Sequence, residues 1–440
     1  MGESGVEEAF AQLTVKQGPA FGLSMHPTRP LLAAGLISGQ LKLYEYEMPP
    51  PVDELEEEEE EEEEERDAKA APQGSIVQTW SARPHKGACR AARFASDGAT
   101  IFSTGVDGTL QQRDVETNQP TWRRRNAAEG PINSMELLSG IGIATGDDDG
   151  KVRCWDLRQH KVALSFHEHN DYIADMLYTE PKKGGHTLCV GGGDGHLAVF
   201  DLRKGQLWAR SDPQEDELLC LALLKRGKKL LCGTQSGTVG IFSWGDFGDV
   251  SDRLLGHPSS VDCMLAHGED MVVTGSGDGL IRLVSVHPNK VLGVLGEHAD
   301  GAGVEQLALN PSGEVLASCA HDNTIKLYDV AYINEADDET GSDGDGNDSD
   351  SDSDSGEGAG AAVVASNGAA AENNNDVDNG SDHDGGKSKK AQKAAKRAVS
   401  EAGSLASERD PRKKRQLAPI NKANAAIKLG ANFFSGMGDD

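Results

Sequence analysis

Between residues 18 and 332 the chain is written in short apolar runs, each broken by a turn of Gly, Asp or Ser and followed by strict alternation of apolar and polar positions. In "TGDDDGKVRCWDLR", residues 145–158, Val152 and Cys154 alternate with Lys151 and Arg153 directly after Gly150. Period-two alternation around a tight turn predicts a β-hairpin. The same phrase recurs as "GLISGQLKLYEY", "TGVDGTLQQRD", "GGGDGHLAVFDLR", "TQSGTVGIFS", "GSGDGLIRLVS" and "AHDNTIKLYD", which makes seven copies. Its turn glycine stands at Gly39, Gly108, Gly150, Gly195, Gly237 and Gly279, with Asn323 in that place in the last copy.

The spacing of these turns is 42 to 45 residues except for the first step of 69, which contains a run of glutamates. A period near 40 to 45 is that of four-stranded propeller blades. An apolar stretch precedes each hairpin ("PINSMELLSG", "VEQLALNPSG"), and a shorter one follows ("KVALSFHEH", "GQLWARS", "KVLGVLGEH"), so each period holds four strands. The predicted fold is all-β, a seven-bladed β-propeller over residues 7–334, with an acidic insert at 47–74 inside the first blade. The last copy runs into "VAYINEADDET" without an outer strand, whereas "FAQLTV", residues 10–15, lies before the first blade and has strand character. It is expected to complete the last blade and remove the free sheet edges.

Charge divides the remainder. The chain carries 43 basic and 72 acidic side chains, a net of −29. Most of that excess lies in the insert and in an acidic low-complexity linker at 335–386, while 387–440 is a basic tail. The propeller itself is only mildly acidic, and its surface as a whole does not suit naked nucleic acid. Residues Glu56 to Glu65, ten in succession, cannot build a core and read as an extended loop able to attract basic clients. Seven cysteines, without a CxxC pair and mostly inside apolar runs, read as small buried hydrophobes in a reducing compartment. No signal peptide and no apolar run of membrane-spanning length is expected.

Three consecutive acids, Asp147, Asp148 and Asp149, pose a choice between a hard-cation site and a turn. Asp149 stands where Asp107, Asp194, Asp278 and Asp322 stand in other copies, directly before the turn Gly or Asn. Repetition favours a structural turn residue, since Asp tolerates left-handed backbone and bonds local amides. On this reading Asp147 and Asp148 are left over, as exposed side chains. His, Ser and Asp recur in most copies, so no hydrolase triad is singled out, and "GGGDG" and "GSGDG" lack the GK[ST] of a phosphate loop. No enzyme activity, metal or cofactor is expected.

These hairpins resemble WD repeats. In that family the turn Asp ties to an upstream His, a Ser or Thr and the Trp of the WD pair, which implies His169 with Asp194, His257 with Thr274 and Asp278, His298 with Ser318 and Asp322, and a part for Trp155. The phrases between the hairpins are more specific. "FGLSMHPTRPLLAAGLISG", "ACRAARFASDG", "FSWGDFGDVSDRLLGHPSSVDCM", "VEQLALNPSGEVLASCAHD" and the tail's "NFFSGM" together resemble the WD repeat-containing protein 55 family. The resemblance implies a nuclear, largely nucleolar scaffold required for ribosomal RNA production and ribosome biogenesis. Its implied partners are pre-ribosomal assembly factors on the propeller faces, with the chain a monomer within a complex. The glutamate insert and the Asp/Ser/Gly linker depart from the family pattern.

Two further readings attach to particular residues. "WDLR" (Trp155, Asp156, Arg158) and "FDLR" (Asp201, Arg203, with Phe200 for Trp) resemble the WDxR box by which some propellers dock the adaptor of a cullin ubiquitin ligase. The alternative is that each Arg pairs with a neighbouring acid. In the tail, Lys389, Lys390, Lys396 and Arg397, then Arg412, Lys413, Lys414 and Arg415, form basic clusters of the kind read by nuclear importers. Phe433 and Phe434 form a candidate docking motif, and serines beside acids in the linker resemble kinase substrates. The basic turns "TWRRRN" and "LLKRGKKLL" read as solvated loops, and direct RNA contact is left open.

Overall fold

The computed structural model describes residues 8–49, 74–139, 142–180 and 185–334. They form seven four-stranded antiparallel sheets, six of them with their strands in simple meander order from the inside outward. The first blade comprises Ala20–Met25, Leu31–Leu36, Leu41–Glu47 and Ser75–Ala82, so the glutamate run falls between its third and fourth strands. The third blade comprises Ile132–Leu138, Gly142–Asp147, Lys151–Asp156 and Lys161–His167.

Burial grades outward along each blade. Second strands such as Leu31–Leu36, Thr187–Gly192 and Val315–Ala320 are buried at every position, because a neighbouring blade packs on each face. Outer strands such as Pro120–Arg124 are largely exposed. The apolar clusters straddle blade boundaries; one joins Val152, Cys154 and Leu164 of the third blade to Met176, Leu188 and Val190 of the fourth. All seven cysteines are buried and unpaired, and burial pushes the Cys89 and Cys154 thiols up to about 12. These sites keep the thiol protonated and use it as a small apolar group.

The ring closes as expected. Ala11–Thr14 pairs antiparallel with Thr324–Asp329, in register from Ala11 opposite Leu327 to Thr14 opposite Thr324, and becomes the outer strand of the last blade. Val15 continues the pairing through its N–H to Asn323 O at 2.7 Å. Where the sequence shows only a missing strand after Asp329, the chain makes a single helical turn at residues 331–334, burying Ile333.

The turn glycines meet a requirement that recurs around the ring. Gly150 has φ +74°, and a Cβ there would lie 2.4 Å from His169 O in the loop leading into the next blade. Gly150→Ala is therefore expected to combine backbone strain with a clash against main chain, costing about 2 kcal/mol. Urea unfolding checks this; an unchanged midpoint contradicts it.

Candidate functional site

Each innermost strand carries an irregularity at the same place. The strand begins in register with the second strand, skips one residue and resumes, and the skipped residues are Phe21, Arg90, Asn133, Ala174, Leu219, Asp262 and Glu305. Such a bulge re-aims a side chain out of the ladder. All seven line one cavity of about 440 Å³, together with Asp148, Tyr172 and Met264. Because every blade contributes the equivalent position, the cavity lies on the pseudo-sevenfold axis, at the end of the propeller that carries the Asp/Gly turns.

The mouth is chemically lopsided. On one side the Arg90 guanidinium lies 4.8 Å from the centre of the Phe21 ring, a cation–π contact. Around the rest stand the carboxylates of Asp148, Asp262 and Glu305. Asn133 donates to Asp148, the Tyr172 hydroxyl donates to Glu217 at 2.8 Å, and Glu305 faces His321. Burial raises the Asp262 carboxyl above its ordinary range, with a bond from Ser260 pulling the other way and the charge of Glu305 adding to the rise. Carboxylates crowded in a recess are poorly solvated, and an incoming cation relieves that.

Deeper along the same strands lie Asp175 and Glu136, both within reach of the Arg93 charge. Burial pushes Asp175 up to about 6, opposed by the amides of Leu221 and Met176 and by Arg93. It pushes Glu136 up to about 7, opposed chiefly by Arg93 and reinforced by Asp175. A carboxyl raised in the folded state stabilises fully below its unfolded pKa and loses that contribution as pH rises through the folded value. Glu136→Gln is thus expected to gain on the parent chain as pH rises from about 4.5 to about 8, in paired denaturation curves. A difference independent of pH contradicts this.

The buried polar links between strands are less uniform than the repeat implies. His298 bonds Ser318 at 2.7 Å and Asp322 at 3.0 Å. His85, which the sequence reading passed over, makes the same set with Ser103 at 3.0 Å and Asp107 at 3.1 Å. The signal was present, since His85, Ser103 and Asp107 follow one another in the order and near the spacing of the last blade. His169 reaches Asp194 at 2.9 Å, but Val190 occupies the place of the Ser or Thr, and the His169 Nε2 has no hydrogen-bond partner among the described residues. His257 bonds Thr274 at 2.9 Å, whereas Asp278 turns to Arg282, with Nη2 at 2.6 Å. The guanidinium outcompetes the imidazole because its charge-assisted bonds are stronger. Burial lowers His85, His169, His257 and His298, keeping the rings neutral.

The third blade departs from the expectation for its three acids. Asp149 does sit in the turn, but it is half exposed and pairs with Lys151 at 3.4 Å. The buried acid is Asp147, whose Oδ1 accepts the N–H groups of Asp149 and Lys151 at 3.2 and 2.9 Å and whose Oδ2 meets Arg153 at 2.5 Å. Asp147 is therefore not a spare exposed acid, and Asp148 faces the axial mouth. The His position of this blade is Ala128, so Arg153 supplies the countercharge. Trp155 is buried and donates to Thr145 at 3.0 Å. With the three carboxylates turned to different partners, they do not converge, and among the described residues no group of three or more His, Cys, Asp or Glu side chains is placed to hold a metal.

At the opposite end, Asp156 is buried and accepts the Arg158 N–H at 2.8 Å, and the Arg158 guanidinium lies 3.2 Å from its Oδ2. Arg158 remains 47% exposed. Asp201 is held by Lys204 at 3.0 Å, and Phe200 is buried, stacked on Phe166 at 4.3 Å. In both boxes the aromatic is internal and the basic residues are the most exposed. Glu56–Glu65, the basic clusters from Lys389 to Arg415, and Phe433 and Phe434 lie outside the described residues.

Comparison with known proteins agrees with this architecture. A family model described as WDR55 matches residues 71–333. The chain is 37% identical over 319 residues to WD repeat-containing protein 55 of Rattus norvegicus, covering 72% of this chain and 76% of that one. The human protein of the same name is 36% identical over the same shares. The Arabidopsis thaliana protein is 37% identical over 317 residues, covering 72% of this chain and 82% of that one.

Proposed function

The chain belongs to the WD repeat-containing protein 55 family, and from that premise we propose that it is a non-enzymatic scaffold of the nucleus and nucleolus that supports ribosomal RNA production and ribosome biogenesis. A WD-repeat propeller is a protein-interaction platform. The observation that carries the finer reading is the axial mouth: a recess lined by Asp148, Asp262 and Glu305 beside Tyr172, Leu219 and Met264. Such a recess suits a basic segment of a protein partner, its cation against the carboxylates and its aliphatic stem against the apolar wall. Proteins that assemble on RNA are rich in such segments. The basic clusters at 387–397 and 409–416 supply nuclear import in this reading, and the acidic runs hold basic clients near the propeller.

Depletion of the protein followed by pulse-labelling of nascent RNA tests the role. The expected result is accumulation of ribosomal RNA precursors with loss of mature species, reversed by the full chain. Normal precursor processing in depleted cells contradicts it.

A further inference from the structure

We propose that the rim of the third to fifth blades, at the end of the propeller opposite the axial mouth, binds a single-stranded polynucleotide. This goes beyond the scaffold reading and does not rest on it. The antiparallel order of each sheet brings first-to-second and third-to-fourth turns to one end. Arg158 of the third blade, Arg203 and Lys204 of the fourth, and the turn Lys225–Lys229 of the fifth therefore share that rim.

The fifth-blade turn is built unusually. Lys225 and Arg226 hold φ values of 55° and 54° ahead of Gly227 at 80°. Side chains disfavour that region, and Asn or Gly normally fills it. The turn is fixed by the Lys225 N–H to Glu269 O at 2.8 Å, by Lys225 to Asp270 at 2.5 Å, and by Arg226 to Glu269 at 2.5 Å. It encloses a recess of about 380 Å³ with Lys228, Lys229 and His287. Lys229 is steadied by Ser243 at 2.9 Å. Lys228 is exposed and, among the described residues, has no carboxylate within ion-pair distance. Glu269 and Asp270 thus shape the turn, and the remaining lysines carry its excess charge.

Aromatic faces adjoin the cations. Trp244 donates its backbone N–H to Lys228 O at 2.9 Å. Its ring packs edge-on against Phe247 at 5.3 Å and Trp208 at 6.1 Å, and Trp208, on the outer strand of the fourth blade, is 48% exposed. Further round the same rim the exposed His160 stacks on Trp122 at 5.0 Å. Cations spread over three blades with stacking surfaces between them match a chain of phosphates and bases; a lone phosphorylated side chain needs only one recess.

The test uses the full chain with a fluorescein-labelled 16-residue oligouridylate and its oligothymidylate counterpart, in anisotropy titrations over a salt series. Photocrosslinking mapped by mass spectrometry locates the contact, which separates the rim from the basic tail. Crosslinks in peptides containing Trp208, Trp244 or His287 are expected. The variant Lys204→Glu/Lys228→Glu is expected to weaken binding at least tenfold and to flatten the salt slope by about 1.4, the value for two lost phosphates on a single strand. Trp208→Ala is expected to weaken binding further without changing the slope, and Lys228→Arg to retain it. Preference for one oligonucleotide assigns RNA or DNA within the proposal. Crosslinks confined to residues outside the rim, unchanged affinity in the charge-reversed variant, or capture of a phosphoserine peptide but neither oligonucleotide would overturn it.

Discussion

A chain lacking residues 1–17 is expected to melt about 10 °C lower than the full chain and to aggregate as concentration rises. The missing segment carries Ala11–Thr14, whose pairing with Thr324–Asp329 joins the ends of the ring. It also removes Ala11 and Val15, both buried, and the partly buried Phe10 and Leu13 from the cluster that unites the last blade with the first. Apolar burial of this size stabilises by about 5 kcal/mol, part of it offset by the entropy of ordering the strand. For a domain of this size that corresponds to a shift on the order of 10 °C. Aggregation follows because Thr324–Asp329 becomes an edge strand with unpaired amides. Calorimetry and light scattering across concentrations check both parts. A truncated chain that melts with the parent and stays monomeric would show that closure lies elsewhere.

The second large effect separates two neighbouring acids. Asp147→Ala is expected to cost about 3 kcal/mol, because it strips two amides of their acceptor and leaves Arg153, itself mostly buried, without a counterion. Asp149→Ala is expected to stay within about 0.5 kcal/mol, since that side chain is half exposed and its pairing with Lys151 is a surface contact. Urea midpoints of the two variants, with unchanged slopes, decide the matter. Equal losses would mean that turn position, not the Arg153 pairing, determines which acid matters.

This pair also marks where sequence reading stops. The period, the hairpins and the closing strand were legible, because each rests on patterns repeated seven times or on a strand left without a partner. The choice of Asp147 over Asp149 was not. Three adjacent acids are equivalent to a pattern, and the selection depends on Ala128 standing where other blades have His, so that only Arg153 is left to neutralise the site. Asp278 shows that an Arg in this place prevails even where the His is present: Arg282 stands two positions into the third strand, as Arg153 does, and takes the carboxylate from His257. The axial mouth was hidden for a different reason. Phe21, Arg90, Asn133, Ala174, Leu219, Asp262 and Glu305 share no chemistry, only a bulge, and because it falls at the second residue of a short strand, one residue before it is too few to show the shift in phase. His85 was legible and overlooked.

Trp155 and Phe200 are consumed by packing and Asp156 pairs with Arg158, so of the two WDxR-like boxes it is Arg158 and Arg203, the residues expected to make an adaptor contact, that stay exposed. Those cations lie at the end of the propeller away from the acidic mouth. They stand apart from the carboxylates of the mouth, in a chain that as a whole carries −29.

The most direct measurement is affinity capture of the tagged full chain from nuclear extract beside the variant Asp262→Arg/Glu305→Arg, with captured proteins quantified by mass spectrometry after nuclease treatment. The account predicts that ribosome assembly proteins dominate the parent's partners and are lost from a variant that still melts as the parent does. Capture of the same proteins by both chains, or dominance of a cullin ligase and its adaptor, would contradict it.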